Sequence, residues 1–526
     1  MPMPESQRAG IRTLGDIPRV HAQAHPDRTA LTFEGRTTRY GELDTRSSQV
    51  AQALLASGVR PGDRLAYLGK NSDLYVELLL GAAKIGAVLT PVNWRLSPRE
   101  AQYIIEDCDA KLLFVGPELL GNVQAYRPTS RPCEIVGMET AYEGRSFREW
   151  RDAHAARDPQ LDVAPDSAAV QLYTSGTTGR PKGAVLTHDN FVRMPQSSPA
   201  YEWSAWSETD VSLAAMPCFH IGGTGWVILG LYNGATNVIA REFDPTKVLD
   251  FIANDRITKL FLVPAAMQVV VRHPQARRVD YSRLRYIMYG ASPMPLQLLR
   301  ECMDVFGCGF VQLYGMTETT GSVTALGPED HDPAGNPRMS SAGKALPGVE
   351  LAILDEAGAR LPPGTVGEVA VRSLTNMQGY WKLPAATART IGADNWLRTG
   401  DAGYLDEAGY LHIYDRVKDM IISGGENIYP AEVENAIFGH PEVAEVAVIG
   451  VPSERWGEEV KAMVVPRPGA NRDAASIIAW ARERIAGYKV PKSVDFIDAL
   501  PRNAAGKILR RELRAPYWKD SARQVS

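Results

Sequence analysis

Residues 173–183, Tyr-Thr-Ser-Gly-Thr-Thr-Gly-Arg-Pro-Lys-Gly, form the most informative segment of the chain. They follow the apolar run 168–172, which is typical of a β-strand. Three glycines allow the backbone to turn tightly and to approach a ligand closely. The threonine and serine hydroxyls and Lys182 supply hydrogen-bond donors that suit phosphate oxygens. The segment therefore predicts a loop that holds a polyphosphate.

The spacing of this loop differs from that of a Walker A loop. A Walker A loop has Gly, four residues and then Gly-Lys-Ser/Thr, whereas Gly179 is followed here by Arg-Pro-Lys-Gly. A plain surface turn is the alternative, because most runs of Gly, Ser and Thr are loops without a ligand. Tyr173 before the run and Lys182 at its end favour phosphate binding.

The overall composition is that of a multidomain globular protein. With 526 residues the chain is too long for one core, and about three or four domain-sized units are expected. The hydrophobic content of 44% and charged content of 22% are ordinary, and a net charge of −4 argues against broad affinity for nucleic acid. The five cysteines are scattered without a Cys-x-x-Cys pair, which indicates a reducing compartment with neither a disulfide framework nor a zinc site.

No segment resembles a membrane anchor. The N-terminal residues lack an apolar stretch, and the longest apolar runs are short and interrupted by charges, as in 75–89. We therefore expect a cytoplasmic protein without an integral membrane segment. Peripheral membrane contact and a homodimer stay open.

Alternating patterns predict an α/β fold. Helical periodicity at 40–57, 72–85 and 98–107 alternates with short apolar runs, which are 64–68, 88–92 and 111–115. A second set follows, with helices predicted at 247–254 and 295–305 and strands at 260–263 and 286–289. From about 343 to 415, short apolar runs between Gly/Pro turns predict a β-rich subdomain.

The charged cluster Asp415-Arg-Val-Lys-Asp419 separates two apolar segments and predicts a domain boundary at Lys418. The domains would be 1–417 and 418–526. A solvated turn is the alternative reading of such a cluster. The segment after it has strand and helix patterns over about 110 residues, enough for an α+β core of its own.

Seven further motifs accompany the loop. They are Met-Pro-Cys-Phe-His at 216–220, Tyr-Gly-Ala-Ser at 289–292, Tyr-Gly-Met-Thr-Glu at 314–318, Thr-Gly-Asp at 399–401, the cluster 415–419, Ser-Gly-Gly-Glu-Asn at 423–427 and Pro-Arg-Asn-Ala-Ala-Gly-Lys at 501–507. Through these motifs and their order, the chain resembles the adenylate-forming superfamily, which includes acyl-CoA synthetases, peptide-synthetase adenylation domains and firefly-type luciferases. The resemblance implies a large N-terminal domain, with two parallel α/β sheet subdomains and a β-rich subdomain, and a small mobile α+β C-terminal domain.

The resemblance also implies a two-step reaction. A carboxylate attacks the α-phosphate of ATP, which gives an acyl-adenylate and pyrophosphate, and a thiol, usually coenzyme A, then displaces AMP. The small domain adopts a different orientation for each step, with Lys418 as the hinge. ATP, Mg²⁺ and CoA are thus the expected small molecules.

The family's nucleotide-binding residues can be carried over one by one. The implied ATP/AMP-binding residues are Thr174, Ser175, Gly176, Thr177, Thr178, Gly179, Lys182, Gly290, Ala291, Ser292, Tyr314, Gly315, Met316, Thr317, Asp401 and Arg416. Tyr314 would stack on adenine, Asp401 would accept the ribose hydroxyls and Arg416 would contact ribose and phosphate. A core tyrosine and a turn aspartate are the structural alternatives for Tyr314 and Asp401.

The resemblance implies four catalytic residues, which are His220, Thr317, Glu318 and Lys507. Glu318 would be the Mg²⁺ ligand, since that ion prefers oxygen ligands. Lys507 would reach from the small domain and stabilise charge that develops at the carboxylate and α-phosphate. His220 would approach the substrate carboxylate, although a lone histidine is more often structural.

The acid and thiol sites follow from the same resemblance. The implied acyl pocket contains His220, Gly222, Gly223, Thr224, Tyr289 and Gly321, and the CoA tunnel contains Gly424 and Gly425. These residues are mostly small, and no fixed cation is evident for a second carboxylate. We therefore expect a medium- or long-chain fatty acid, or a bulky aryl or cyclic acid.

Three alternatives share these motifs. A fatty acyl-AMP ligase would load a carrier protein, but the insertion usual near its hinge is absent between Lys418 and Gly424. Luciferase-type oxygenation is weakly opposed by the ending Gln-Val-Ser. An inactive nucleotide- or acyl-binding homologue is opposed by the retained Lys182, Glu318, Asp401 and Lys507.

Overall fold

The computed structural model describes residues 9–128, 133–174, 180–196, 201–416, 419–423, 426–453, 455–502 and 508–518. Within these ranges the strands form four sheets. Two large sheets and a four-stranded sheet precede residue 417, and a smaller sheet follows it. The expected fold class is confirmed.

The first large sheet has seven strands in the order β18-β8-β7-β4-β3-β5-β6. These strands are β3 Arg64–Leu68, β4 Val88–Val92, β5 Ala110–Val115, β6 Glu134–Gly137, β7 Ala168–Thr174, β8 Lys182–Thr187 and β18 Gly379–Tyr380. The five neighbouring strands β7, β4, β3, β5 and β6 are parallel to one another. Strand β8 is antiparallel to both of its neighbours, β7 and β18. The predicted polyphosphate loop thus connects the antiparallel pair β7–β8.

The second large sheet has nine strands in the order β15-β14-β13-β12-β11-β9-β10-β1-β2. They are β1 Thr29–Phe33, β2 Arg36–Arg39, β9 Val211–Ala214, β10 Thr236–Ile239, β11 Lys259–Leu262, β12 Tyr286–Gly290, β13 Gly309–Met316, β14 Gly321–Leu326 and β15 Lys344–Ala345. The central pairs are parallel, and β13 turns back into β14 as an antiparallel hairpin. Ligands commonly bind at the carboxyl ends of such parallel strands.

The β-rich subdomain is a four-stranded antiparallel sheet in the order β16-β17-β19-β20. Its strands are β16 Glu350–Leu354, β17 Gly367–Arg372, β19 Leu397–Leu405 and β20 Leu411–Arg416. These strands lie between residues 350 and 416, and the limits of about 343–415 for the subdomain stay a prediction. The predicted boundary residue Lys418 lies outside the described residues, so the limits 1–417 and 418–526 stay predictions.

The C-terminal segment forms a five-stranded sheet in the order β22-β21-β24-β23, with β25 parallel to β24. The strands are β21 Ile421–Ser423, β22 Glu426–Ile428, β23 Val443–Ser453, β24 Gly457–Pro466 and β25 Ser493–Phe496. Helices accompany this sheet, so the segment is α+β as expected.

The α-helices cover the sheets. They are α1 Asp16–Ala24, α2 Tyr40–Ala56, α3 Asp73–Lys84, α4 Pro98–Asp107, α5 Phe147–Asp152, α6 His188–Gln196, α7 Ile221–Tyr232, α8 Pro245–Asn254, α9 Pro264–Val271, α10 Leu296–Phe306, α11 Pro384–Thr390, α12 Pro430–Phe438, α13 Ala474–Arg482 and α14 Arg510–Arg514. Every residue of α3 is buried, and this helix contacts β4 of one large sheet and β1 of the other. Its three charged residues are paired, Asp73 with Arg36, Glu77 with Arg151, and Lys84 with Asp44 and Asp158, as buried charges require. None of the helices in the described ranges is long and apolar enough to cross a membrane.

Candidate nucleotide and acid site

The predicted phosphate loop is fixed at both ends by the hairpin β7–β8. Thr174, the last residue of β7, lies directly opposite Lys182, the first residue of β8. The loop residues Ser175, Gly176, Thr177, Thr178 and Gly179 lie outside the described residues. Their phosphate contacts stay predictions, but the two flanking donors, Thr174 and Lys182, are adjacent.

Glu318 lies next to Thr174 although 144 residues separate them. It belongs to a single 3-10 turn, Thr317–Thr319, between β13 and β14, and its side chain is buried, with 5% of the residue exposed. Glu318 Oε1 accepts hydrogen bonds from Thr174 Oγ1 at 3.2 Å and from Tyr380 Oη at 2.8 Å. The structure thus brings the predicted metal ligand to the predicted phosphate donors.

The turn that carries Glu318 requires close backbone approach. Gly315 lies opposite Ser322, and a Cβ at Gly315 would lie 1.9 Å from the carbonyl oxygen of Gly321. Met316 lies opposite Gly321, and Thr320 has a left-handed backbone with φ of 54°. Thr317 accepts the N–H of Thr320 through its carbonyl oxygen at 3.0 Å. The motif 314–318 therefore shapes the hairpin as well as supplying Glu318.

Tyr314 and Asp401, which were expected at adenine and ribose, are in direct contact. Tyr314 Oη donates to Asp401 Oδ2 at 2.7 Å, and Asp401 is buried with 7% of the residue exposed. In the β19–β20 ladder, the backbone of Asp401 lies opposite that of Arg416. Nucleoside-binding roles for these residues are thus geometrically compatible with one another.

The segment expected beside the purine lies on the neighbouring strand. Gly290 ends β12 and lies opposite Leu313 of β13, where a Cβ would be 2.0 Å from the Leu313 carbonyl oxygen. Ala291 follows in the left-handed region with φ of 65°, and Ser292 is half-buried. The tripeptide therefore lies at the carboxyl end of β12, beside the strand that carries Tyr314.

His220 occupies the N-cap position of α7, without a hydrogen bond from its side chain to the first turn of the helix. Burial lowers the pKa of His220 to about 4, and the nearby Arg95 guanidinium acts in the same direction. The imidazole is therefore neutral at pH 7. Its Nε2 atom is buried and has no hydrogen-bond partner among the described residues, which leaves it available for a substrate oxygen.

The remaining residues implied for the acyl pocket differ in their surroundings. Thr224 Oγ1 forms a hydrogen bond with Tyr75 Oη at 2.6 Å, and Tyr289 Oη forms one with His331 Nε2 at 2.9 Å. A Cβ at Gly223 would lie 2.1 Å from the Pro217 carbonyl oxygen, and one at Gly222 would lie 2.9 Å from Phe261. Contacts with neighbouring protein atoms are therefore enough to explain why positions 222 and 223 are glycines, and no ligand is needed. The role of these residues toward the acid stays a prediction.

An apolar cavity of about 440 Å³ lies beside the Glu318 hairpin. It is lined by side chains from α6, the 201–206 segment, α7, strands β12–β14 and the loops 346–349 and 373–375, and they include Met194, Trp203, Trp206, Trp226, Met288 and Leu313. None of the six residues implied for the acyl pocket lines it. A methyl group at Gly321, however, would lie only 3.6 Å from Met194 Sδ and 3.9 Å from Ile221. Gly321 therefore lies close to Met194, a residue of the cavity wall.

Sequence reasoning missed this cavity because its residues come from separated segments. The three tryptophans belong to no motif, and nothing in their spacing shows that they face one space. Their clustering is visible only in the fold, where the Trp206 and Trp226 rings lie 5.4 Å apart.

Cationic side chains lie at this cavity and behind its wall, whereas the expectation of no fixed cation concerns the implied acyl pocket and stays a prediction. Arg193 lines the cavity and pairs with Asp189 one helical turn away at 3.1 Å. Behind the wall, the fully buried Lys259 places Nζ 4.6 Å from the centre of the Trp206 ring. That ammonium donates to the carbonyl oxygens of Trp203 at 3.2 Å and Ala205 at 2.5 Å, so it holds the tryptophan segment in place.

The donor set fits a magnesium ion that is shared with substrate. Among the described residues no three His, Cys, Asp or Glu side chains are grouped to hold a metal. Mg²⁺ is usually bound by one or two carboxylates together with substrate phosphates. Glu318 beside Thr174 and Lys182 offers one such carboxylate.

Several predicted residues cannot be placed relative to this site. Lys418, Gly424, Gly425 and Lys507 lie outside the described residues, and Arg416 is described only through its backbone. The hinge, the CoA tunnel and the catalytic lysine therefore stay predictions.

Comparison with known proteins agrees with the geometry. The model of the family "AMP-binding enzyme" matches residues 19–381, and that of the "AMP-binding enzyme C-terminal domain" matches residues 432–507. The chain is 44% identical over 519 residues to the fatty acid–[acyl-carrier-protein] ligase ScoC of Streptomyces coeruleorubidus, covering 98% of each chain. It is 41% identical over 513 residues to a feruloyl-CoA synthase of an Amycolatopsis species, covering 96% of this chain and 99% of the relative.

A solved structure has a similar fold over nearly the full length of the chain. The crystal structure of ATP-bound MatB from Rhodopseudomonas palustris matches with a TM-score of 0.87 and 32% identity. The match covers 97% of this chain and 99% of MatB.

Proposed function

The chain belongs to the AMP-binding enzyme family, and on that premise we propose that it is an ATP-dependent carboxylic acid–CoA ligase. Its acid substrate is a medium- or long-chain fatty acid or a bulky aryl or cyclic acid. In the first step a carboxylate oxygen attacks the α-phosphorus of ATP, and the bond from that phosphorus to pyrophosphate breaks. In the second step the CoA sulfur attacks the acyl carbon, the bond to AMP breaks and the thiol proton leaves to solvent.

One observation carries this proposal. The buried Glu318 carboxylate meets Thr174 at the base of the phosphate loop, and Ser322, four residues further on, lines the apolar cavity. A place for charged phosphates and a place for an apolar acid therefore adjoin on one hairpin. This arrangement suits a reaction that joins a carboxylate to a nucleotide phosphate.

The predicted site residues divide the binding and catalytic roles in this scheme. Thr174 and Lys182 bind the outer phosphates of ATP, while Tyr314 and Asp401 hold the nucleoside. Neutral His220 orients the acid carboxylate without forming an ion pair with it. Glu318 would hold Mg²⁺, whose charge offsets that of the phosphates. Lys507 would enter from the C-terminal domain to stabilise the charge that develops on the α-phosphate.

The apolar cavity supports the proposed acid class. Its wall combines three tryptophans with methionine and leucine side chains, which bind hydrocarbon or aromatic groups by removing them from water. A volume of about 440 Å³ falls within the range of small-molecule pockets. A short polar acid such as acetate would leave most of this surface unfilled.

A pyrophosphate-release screen across fatty, aryl and short acids, with Mg-ATP and with or without CoA, tests the proposal. We expect acid-dependent pyrophosphate release that favours the bulky apolar acids, and a thioester product that requires CoA. Absence of acid-dependent release with every acid would overturn the proposal.

Substitution of Lys507 by Ala separates the two steps. We expect Lys507→Ala to abolish acyl-adenylate formation and to leave thioester formation from supplied acyl-AMP largely intact. Lys492→Ala removes an exposed lysine of the same domain and is the control. Equal loss of both steps would show that Lys507 does not have the assigned role.

A carrier protein is the second candidate for the thiol acceptor, and the similarity to the carrier-protein ligase favours it. Carrier proteins present a pantetheine thiol, so the first step is unchanged. Thioester formation on a phosphopantetheinylated carrier protein but not on CoA would select this candidate.

We also propose a cytoplasmic location. The five cysteines, all of which lie in the described residues, form no disulfide with one another, as is usual in a reducing compartment. Peripheral membrane contact and homodimerisation stay predictions.

A further inference from the structure

Tyr380 contacts two of the residues expected to bind Mg-ATP, although no motif described above includes it. Its hydroxyl donates to Glu318 Oε1 at 2.8 Å. Its ring lies under the ammonium of Lys182, with Nζ 4.8 Å from the ring centre. The Glu318 carboxylate therefore contacts the hydroxyl of Tyr380, and the Lys182 ammonium contacts its ring.

The backbone around Tyr380 is fixed to the same hairpin that carries Lys182. Tyr380 lies opposite Ala184 in the β18–β8 ladder, and Trp381 N–H donates to the Gly183 carbonyl at 2.8 Å. The Tyr380 N–H donates to Thr387 Oγ1 at 2.9 Å. On the other side, Met377 N–H donates to the Glu318 carbonyl at 2.8 Å. Tyr380 thus joins the phosphate hairpin to the turn that holds Glu318.

We propose that Tyr380 is a positioning residue for Mg-ATP, which aligns Glu318 through its hydroxyl and Lys182 through its ring. This inference rests on the proposed function. A hydrogen bond to a carboxylate fixes the direction of its oxygens, and residues that orient metal ligands commonly change metal affinity when they are removed. A cation over an aromatic face is held by the ring without losing its charge. The two contacts are chemically separate, so two variants distinguish them.

Tyr380→Phe removes the hydroxyl and keeps the ring, whereas Tyr380→Leu removes both. ATP binding is measured by calorimetry for each variant, once with Mg²⁺ and once with EDTA. We expect Tyr380→Phe to weaken binding about tenfold with Mg²⁺ and to leave it unchanged with EDTA. Tyr380→Leu should weaken binding in both conditions, because Lys182 loses its ring contact as well.

Tyr410 offers a matched control. Its hydroxyl donates to Asp330 Oδ2 at 2.9 Å, and Lys344 Nζ lies 4.6 Å from its ring centre. This tyrosine therefore joins a carboxylate to a lysine in the same manner, away from the residues assigned to ATP. Tyr410→Phe should leave ATP binding unchanged in both conditions.

The outcomes separate this inference from the proposed function. The assignment of Tyr380 is wrong if ATP binding by Tyr380→Phe depends on Mg²⁺ as strongly as in the unsubstituted protein, while ATP binding by Glu318→Gln no longer depends on Mg²⁺. Equal weakening by Tyr380→Phe with and without Mg²⁺ would also overturn it. The proposed function fails instead if the unsubstituted protein binds Mg-ATP but releases no pyrophosphate with any acid.

Discussion

The predicted nucleotide site and the apolar cavity share the hairpin β13–β14. Successive side chains of a strand point to opposite faces, and Tyr314 contacts Asp401 while its neighbour Leu313 lines the cavity. The nucleotide side uses polar residues at strand ends and turns, and the cavity side uses large apolar residues from many elements. Substitutions on the nucleotide side should therefore change the binding of ATP, and substitutions on the cavity side should change the binding of the acid.

The largest expected effect is on the nucleotide side. Glu318→Gln keeps the size of the side chain but removes its charge, so we expect acid-dependent pyrophosphate release to fall at least about 100-fold, or ~2.7 kcal/mol. Initial rates at saturating acid measure this effect. Glu350→Gln, on an exposed ion pair with Arg372, is the control and should be neutral. An unchanged rate of pyrophosphate release in Glu318→Gln would show that the mechanism does not need the Glu318 carboxylate.

The next effect concerns the space in the cavity. Ser322 lines the cavity, so Ser322→Phe should fill part of it and lower kcat/KM for the preferred bulky acid roughly tenfold to hundredfold. Shorter acids should lose less, and KM for ATP should stay within about twofold. Kinetics with a series of acids of increasing length measure the change. An equal loss for all acids would mean that the cavity is not where the acid binds.

A smaller effect is expected from the cavity wall. Trp206→Ala should raise KM for the preferred acid about five- to tenfold, because apolar surface that would cover the acid is lost, and it should leave KM for ATP unchanged. Trp396→Ala, a similarly buried tryptophan of the β-rich subdomain, controls for general destabilisation. Thermal unfolding of both variants checks that they fold. A shared rise in KM for ATP and acid would contradict the separation of the two sides.

The smallest effect concerns His220, which is expected to approach the acid carboxylate. Because its pKa is lowered to about 4, His220 stays neutral as the pH falls from 8 to 6 and becomes protonated only near pH 4. We therefore expect no inflection from His220 in kcat/KM for the acid between pH 6 and 8. His220→Asn should lower the rate without changing the shape of this profile. An inflection near pH 6.5 that disappears in His220→Asn would contradict the neutral assignment.

The two sides also differ in how far sequence predicts them. The strand at 168–172, the turn at 314–318 and Asp401 lie in contiguous motifs, and hydrogen bonds join Thr174 to Glu318 and Tyr314 to Asp401 in the fold. The major strands and helices also follow from apolar periodicity, since burial of one face dictates that pattern. The residues of the nucleotide side can therefore be predicted from contiguous sequence motifs.

The cavity depends instead on tertiary packing. Lys259 of β11 holds the carbonyls of Trp203 and Ala205, and Trp226 reaches the same cavity from α7. No pattern in the chain indicates that contact. Conversely, Gly223 is small because the Pro217 carbonyl lies against it, so a small residue in a motif was not sufficient evidence of open space.

A crystal structure with a non-hydrolysable acyl-adenylate analogue, such as an acyl sulfamate of adenosine, tests the account most directly. We expect adenine on Tyr314, the ribose hydroxyls at Asp401 and the acyl group in the cavity between Trp203, Trp206 and Trp226. An acyl group bound outside that cavity, with adenosine in its predicted place, would contradict the assignment of the acid site. Adenosine bound away from Tyr314 and Asp401 would contradict the account as a whole.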